Sequence, residues 1–326
     1  MTHTISHGAK TPEHADMDDG LAWLADRYLK TERDERLLNY LGEILQLHEA
    51  TGPPPAALRD PLNGETHGLA VIGASGDGKS ALIGRMFRSQ PAFEQMQAGR
   101  DGNYLRIVMP PEGTIKSLAG DLLRETGYTR QVKTGKAHDL WATLRHRLAL
   151  REVQLLWIDE AHHLLRGGAG RDPVQARQTL KSLMKGEGAV ALLLSGVPQL
   201  DDELRLDPET DRRILRYHLG RFGERETELR RLRAFTEACC AHLGLDPPDD
   251  PHFAERIAFA GRGGLGRSID LLKRMIRRAV MEGQAGLELS QARKVFELHH
   301  GALETGPFDE GDWPRIREIL EGRGWQ

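Results

Sequence analysis

Apolar residues recur at helical spacing from Leu21 onward: Leu21, Trp23, Leu24 and Tyr28, then Leu37, Leu38, Leu41, Ile44 and Leu45. Residues three and four apart share one helix face, so two amphipathic helices are expected across 21–50. Residues 1–20 are polar, rich in histidine and acidic groups, and are expected to be loose. The run Gly52 to Pro55 breaks helix and reads as a stiff connector.

The pattern then changes to short apolar runs alternating with helical stretches. The runs Leu69–Ile72, Tyr104–Met109, Val153–Ile158 and Ala189–Ser195 read as strands. Between them, helices are expected at Ser80–Arg88, Ile115–Glu125, Asp139–Leu150 and Pro173–Lys185. Such alternation predicts the α/β class, with a parallel sheet covered on both faces. After about Phe222 the strand signals stop. Helical patterns follow at Glu224–Leu243, Pro251–Ala260, Arg267–Met281 and Ser290–His299, and a short amphipathic helix at Trp313–Leu320 follows an acidic turn. The expected organisation is an N-terminal helical extension (1–60), an α/β domain (61–222), a small all-helical domain (223–300) and a tail (301–326).

Composition narrows the class. The composition, 39% hydrophobic and 29% charged, is that of an ordinary globular chain, and 326 residues predict one large domain with a smaller companion, or two modest ones. A net charge of -3 gives no global basic signature, so any nucleic-acid site must be a local patch. Cys239 and Cys240 are adjacent, a spacing that seldom meets disulfide geometry, and a reducing cytoplasm is expected. The segment MTHTISHGAK lacks the apolar core of a signal peptide, and the longest apolar stretch, near 189–197, is too short to span a membrane.

Chemistry enters at residues 73–80. Gly73, Ala74, Ser75, Gly76, Asp77, Gly78, Lys79 and Ser80 spell G-x-x-x-x-G-K-S between an apolar strand and a helix. Glycines let backbone N–H groups wrap phosphates at the helix start. Lys79 is expected to neutralise the β- and γ-phosphates of ATP, and the Ser80 hydroxyl to ligate Mg2+. The apolar run Leu155–Ile158 ends in Asp159 and Glu160. At the carboxyl edge of a parallel sheet, Asp159 can hold Mg2+ and Glu160 can polarise an attacking water. Ser195, ending the next strand, is placed to hydrogen-bond the γ-phosphate or that water, although a polar strand end is also an ordinary turn residue. ATP binding and hydrolysis are the expected activity.

The order of these motifs resembles that of AAA+ ATPases. More narrowly it resembles the TniB/TnsC group of transposition ATPases, relatives of phage Mu B protein. The segments LLWIDEAHHLLRGG, LLLSGVPQL, DPETDRRI, GGLGRSIDLLKRMIRRA and Gly306-Pro307-Phe308 carry that likeness over most of the chain. The resemblance implies a module that self-associates into rings or helical filaments on duplex DNA without sequence preference. It also implies an arginine finger supplied to the neighbour's γ-phosphate, for which Arg213 is the first choice and Arg212 the next. Arg267 falls where such proteins carry a phosphate-contacting lid arginine. A transposase, and a target-selector protein, are the implied partners. The segment beyond Phe308 departs from the expected family ending; it either docks such a partner or packs on its own helical domain.

The implied DNA-facing surface follows the second strand, where Thr114, Lys116, Arg130, Lys133 and Lys136 fall. Residues 114–147 carry seven basic side chains against three acidic, which on a single chain also describes a solvated charged face. The lid stretch from Arg262 to Arg278 carries six against one, a face that pairs equally well with acidic residues of a neighbouring subunit. Asp159 to His162 also spell a DEAH box, but a helicase needs a second RecA-like domain and the region after 222 is helical and too short. The competing classes are an AAA+ regulator of proteins, of secretion or signalling type, and an IstB-like or replication-loader DNA ATPase.

Overall fold

A computed structural model describes residues 12–48, 52–100, 102–128, 136–168, 172–186 and 188–325. The chain divides into two compact units: one holds Glu32–Gly220, the other the residues up to Thr31 together with those from Arg221 onward.

The first unit is built on five parallel strands: β1 (Gly68–Ile72), β2 (Tyr104–Val108), β3 (Leu155–Asp159), β4 (Ala191–Gly196) and β5 (Ile214–His218). Their spatial order is β2-β3-β4-β1-β5. Alternate residues of the central strands enter two separate cores. Leu69, Val71, Leu155, Trp157, Ala191 and Leu193 face one side, packed with Leu82, Ile83 and Met86 of the helix Lys79–Ser89. Ala70, Ile72, Leu156, Ile158, Leu192 and Leu194 face the other, against Leu118, Leu122, Leu144 and Leu180 from the helices Ile115–Glu125, Ala137–Leu150 and Pro173–Leu183. Burial on both faces explains why these strands read as continuous apolar runs.

β5 is the strand that sequence patterning passes over. Its residues Ile214-Leu215-Arg216-Tyr217-His218 carry a cation mid-run, and Arg216 is held there by Asp201 and Asp211 at 3.1 and 2.7 Å. Pairing with β1, from Gly68 against Ile214 to Ile72 against His218, overrides the weak pattern.

Toward the N-terminus the elements are shifted from expectation. Helix runs from Pro12 to Asp26 and from Glu32 to Gly42, so residues 12–20, expected to be loose, are helical. Leu45–Gln46 leaves the helix and pairs antiparallel with Ala56–Ala57, which turns the connector around Gly52–Pro55 into the tip of a short ribbon.

The second unit is helical: Glu226–His242, Phe253–Ala260, Leu265–Met281 and Leu289–His300 enclose Leu232, Ile257, Leu272, Ile276 and Phe296, with Leu24 of the first helix in the same core. Lys273 ties that helix in by donating to the carbonyls of Ala25 and Arg27 at 2.8 and 2.6 Å. The tail packs on its own unit. Arg256, 1% exposed, pairs with Asp250 at 2.6 Å and donates to the carbonyls of Pro307, Asp309 and Gly311, while its guanidinium lies 4.9 Å from the Trp313 ring. Three main-chain acceptors thus take donors of its terminal nitrogens, and the Asp250 carboxylate balances its charge. Among the described residues, no helix is long and apolar enough to cross a membrane.

Candidate nucleotide site

In a parallel sheet all carboxyl ends lie at one edge, so the residues that follow β1, β3 and β4 are neighbours although far apart in sequence. Ile72 pairs with Gly196, and Ile158 with Leu194, which brings the loop after Ile72 beside Asp159 and Ser195.

The loop 73–80 is braced internally. Asp77 Oδ2 accepts from the Ala74 N–H at 2.7 Å, and the Asp77 N–H donates to the Ala74 carbonyl at 3.2 Å. Gly73 is required by this brace: a Cβ there would stand 2.9 Å from Asp77 Oδ2 and 3.3 Å from Leu219 Cβ. Gly76 and Gly78 take φ of 80° and 86°, the left-handed region that side chains disfavour. Gly78 starts the helix Lys79–Ser89 with no side-chain cap, so its opening turn presents main-chain donors without a built-in acceptor. Lys79 is buried and its ammonium donates to the carbonyls of Gly73 and Ala74, both at 2.9 Å. Ser80 follows on the first turn, half-buried. A second support comes from Arg33, buried on the helix Glu32–Gly42, which reaches the Asp77 carbonyl at 3.4 Å. Tyr217 of β5 in turn donates to the Arg33 carbonyl at 3.1 Å. Nothing in local spacing links Arg33 to residues 73–80; only the pairing of β5 with β1 does.

Asp159 ends β3 and sits in a polar clamp. Its Oδ1 accepts the Ser195 hydroxyl at 2.6 Å and the Glu160 N–H at 3.2 Å. Its Oδ2 faces Arg106 of β2 at 3.3 Å. The Arg106 guanidinium lies 4.1 Å from the Trp157 ring, and the Trp157 indole N–H donates to Ser195 Oγ at 3.0 Å. Ser195 therefore bonds the Asp159 carboxylate, and its hydroxyl is fully buried between Trp157 and Asp159. Arg106 and Trp157 were not expected in the site; one signal is that residues 157 and 159 fall on the same strand face.

Glu160 takes φ of 54°, a conformation that costs a non-glycine residue about 1–3 kcal/mol. It turns the chain sharply out of β3 into the short helix His162–Leu165, and Ala161 fixes the turn by donating to the Ser195 carbonyl at 2.9 Å. Glu160 Oε2 lies 3.3 Å from His162 Nδ1. Burial, then the nearby charges of His163, Arg166 and Lys79, lower the His162 pKa to about 4, so its imidazole is neutral near pH 7.

Uncapped main-chain donors, a buried lysine and left-handed glycines form an anion cradle that fits ATP. The hydroxyl of Ser80 and the carboxylate of Asp159 are the oxygen donors that suit Mg2+.

Arg213, the first choice for a finger, is engaged within its own unit. It is 4% exposed and pairs with Glu65 at 2.7 Å within its own unit, so its charge is already used. Its neighbour Arg212 is exposed. Arg267 lies in the helical unit, where Nε donates to the Gly261 carbonyl at 2.8 Å.

The basic stretch after β2 is reduced by internal pairing. Thr114 is engaged in a capping box with Ser117 at the start of Ile115–Glu125. Arg124 pairs with Asp121, Arg145 donates to Ser182, and Arg147 donates to Thr126. Lys116 and Lys136 are exposed, while Arg130 and Lys133 lie outside the described residues. On the lid helix, Arg274 and Arg278 pair with Asp270 and Glu282 of their own unit.

A family model described as bacterial TniB protein matches residues 23–224. No curated protein sequence matches the chain. Among solved structures, CDC6P from Pyrobaculum aerophilum is similar at 17% identity, covering 85% of this chain and 70% of that one, with a TM-score of 0.56. The ORC2 protein of Aeropyrum pernix, in ADPNP-ADP complexes, is similar at 17% identity over 90% and 70%, with a TM-score of 0.52. The ORC1 protein of Aeropyrum pernix in complex with DNA is similar at 14% identity over 93% and 85%, with a TM-score of 0.56.

Proposed function

The chain belongs to the bacterial TniB family, and from that premise we propose that it is an ATP-hydrolysing regulator of DNA transposition, which assembles on duplex DNA and engages a transposase. Its fold is that of the AAA+ P-loop ATPases, a five-stranded parallel sheet with helices followed by a helical region.

The observation that carries the nucleotide half is the meeting of Lys79, Asp159, Glu160 and Ser195 at one sheet edge. Gly73–Ser80 hold the phosphates, with Lys79 as the counter-charge; Ser80 and Asp159 hold Mg2+. When bound, MgATP supplies the phosphoanhydride to be cleaved and the metal charge that neutralises its phosphates. Ser195 keeps Asp159 in place through its hydroxyl, and Trp157 fixes the orientation of that hydroxyl. Glu160 orients and polarises the water. Arg212, exposed at the segment where a finger is expected, serves the neighbouring protomer's site. Supplying one residue to a neighbour is a head-to-tail arrangement, which yields rings or open helices.

The DNA half is supported by family membership, by the exposed Lys116 and Lys136 after β2, and by the DNA complex reported for the similar ORC1 protein. One or two phosphate contacts per protomer, repeated along an assembly, sum to tight and salt-sensitive binding. ATP binding builds the assembly and hydrolysis releases it.

The test is binding of random-sequence duplex DNA with and without a non-hydrolysable ATP analogue. Binding is expected only with nucleotide, independent of sequence, and lost as salt rises. Absence of binding at low salt with the analogue would overturn the DNA reading and favour a regulator of protein partners. Sequence-specific binding, or binding to single strands alone, would point instead to a replication-loader type of helper.

A further inference from the structure

Beyond the phosphate cradle, three ligand-type side chains converge at the turn after β3. Glu160, His162 and His163 each bring one ligand atom within 4.8 Å of the other two. Glu160 Oε2 and His162 Nδ1 are already 3.3 Å apart, and the two imidazole rings lie 4.0 Å apart at 42°. Two ligands of one tetrahedral Zn2+, each at about 2.0–2.1 Å, stand roughly 3.4 Å apart. The Glu160–His162 pair is thus at bonding separation, and the third ligand needs a side-chain rotation.

The two histidines have no other use for these atoms. Nδ1 of His162 and Nδ1 of His163 are both buried and make no hydrogen bond. His162 is 7% exposed, and a buried polar atom left unsatisfied costs about 1–3 kcal/mol. The carboxylate opposite does not remove that cost, because the 3.3 Å approach of Glu160 Oε2 lacks hydrogen-bond alignment. The left-handed turn at Glu160 and the short helix from His162 hold the three residues within one tight turn of chain.

We propose that Glu160, His162 and His163 form a binding site for a borderline transition-metal dication, Zn2+ being the best fit, separate from the magnesium site of Ser80 and Asp159. Two imidazoles and one carboxylate are a donor set for zinc, with a fourth position open to water. Magnesium prefers oxygen donors and octahedral geometry, so it does not compete for the histidines. The positive charges of Lys79 and Arg166 near His162 oppose a dication, so occupancy responds to free zinc rather than being permanent. Occupation ties up the Glu160 carboxylate. This consequence rests on the role assigned to Glu160 in hydrolysis; the metal site itself does not.

The experiment titrates the untagged full-length chain with Zn2+ against a chromophoric chelator, and with Co2+ followed by visible absorption. Wild type is expected to hold one equivalent that His162→Gln and His163→Gln each weaken at least about 10-fold, with loss of the Co2+ bands. Both variants are checked for unchanged binding of MgATP, which reports folding of the phosphate loop. Equal affinity and spectra in wild type and the His162→Gln/His163→Gln double variant would overturn the site, as would the absence of any chelator-competing equivalent. In a second arm, buffered free Zn2+ is added to excess MgATP. Hydrolysis is expected to stop in wild type, to recover on chelation, and to persist in His163→Gln. Zinc bound with hydrolysis undiminished would leave the site standing and remove Glu160 from its hydrolytic role.

Discussion

The Ser195 hydroxyl donates to Asp159 Oδ1 at 2.6 Å, fully buried and at the end of a chain of bonds that starts at the Trp157 indole. One hydroxyl thus satisfies a buried N–H and restrains the carboxylate of Asp159. Hydrogen bonds to an ionised group contribute about 1.5–3 kcal/mol.

Ser195→Ala removes both bonds at once. Stability is expected to fall by about 1–3 kcal/mol, because the Trp157 N–H is left buried without an acceptor. The Mg2+ concentration needed for half-maximal ATP hydrolysis is expected to rise, because Asp159 loses its restraint. Urea denaturation and a magnesium titration read the two effects separately; an unchanged magnesium dependence would reduce Ser195 to a purely structural residue.

Lys79→Ala and Glu160→Gln separate binding from hydrolysis. Losing the buried ammonium is expected to abolish ATP binding and nucleotide-dependent assembly. Glu160→Gln keeps the cradle intact, so ATP is retained while turnover drops about 100-fold or more. Filter binding of labelled ATP and steady-state phosphate release distinguish them. Rapid turnover in Glu160→Gln would assign the water to another group.

Arg212 and Arg213 are expected to differ in kind although adjacent. Arg213→Ala removes one of two cationic partners of Glu65, leaving Lys185 at 3.4 Å, and should destabilise the sheet unit by about 1–3 kcal/mol. Arg212→Ala should leave stability unchanged but lower hydrolysis in the assembled state by about 10³-fold, as for loss of an arginine supplied in trans. Mixing Arg212→Ala with Glu160→Gln protomers, which retain ATP and assembly, should partly restore activity, because each variant supplies what the other lacks. No restoration, with both variants folded, would exclude Arg212 as the shared residue.

Cys239 and Cys240 are free and buried on the helix Glu226–His242. Burial raises both thiol pKa values, that of Cys240 to about 12. Alkylation requires the thiolate, so both are expected to resist iodoacetamide at pH 8 until the helical unit unfolds. The sign of the linkage follows: the unfolded thiol titrates near 9.0, so unfolding is favoured progressively as pH rises from 9 toward 12. Mass spectrometry after a timed pulse measures the first effect, and denaturation midpoints between pH 8 and 10 the second.

Much of this protein is written locally. The G-x-x-x-x-G-K-S run, the apolar strand ending in Asp159-Glu160 and the central strands are visible as short-range patterns, because a buried parallel strand and a phosphate loop both have obligatory local chemistry. Tertiary structure decided the rest. Only strand pairing made 214–218 a strand despite its central arginine, since neighbouring carboxylates Asp201 and Asp211 hold the charge. Only side-chain burial separated Arg213, spent on Glu65, from the exposed Arg212. Only the fold brought Arg33 under the phosphate loop and Arg106 beside Asp159, contacts spanning 44 and 53 residues that no periodicity encodes. Sequence specifies which chemical groups are available; which of them are paired, buried or left exposed is settled by contacts between segments distant along the chain.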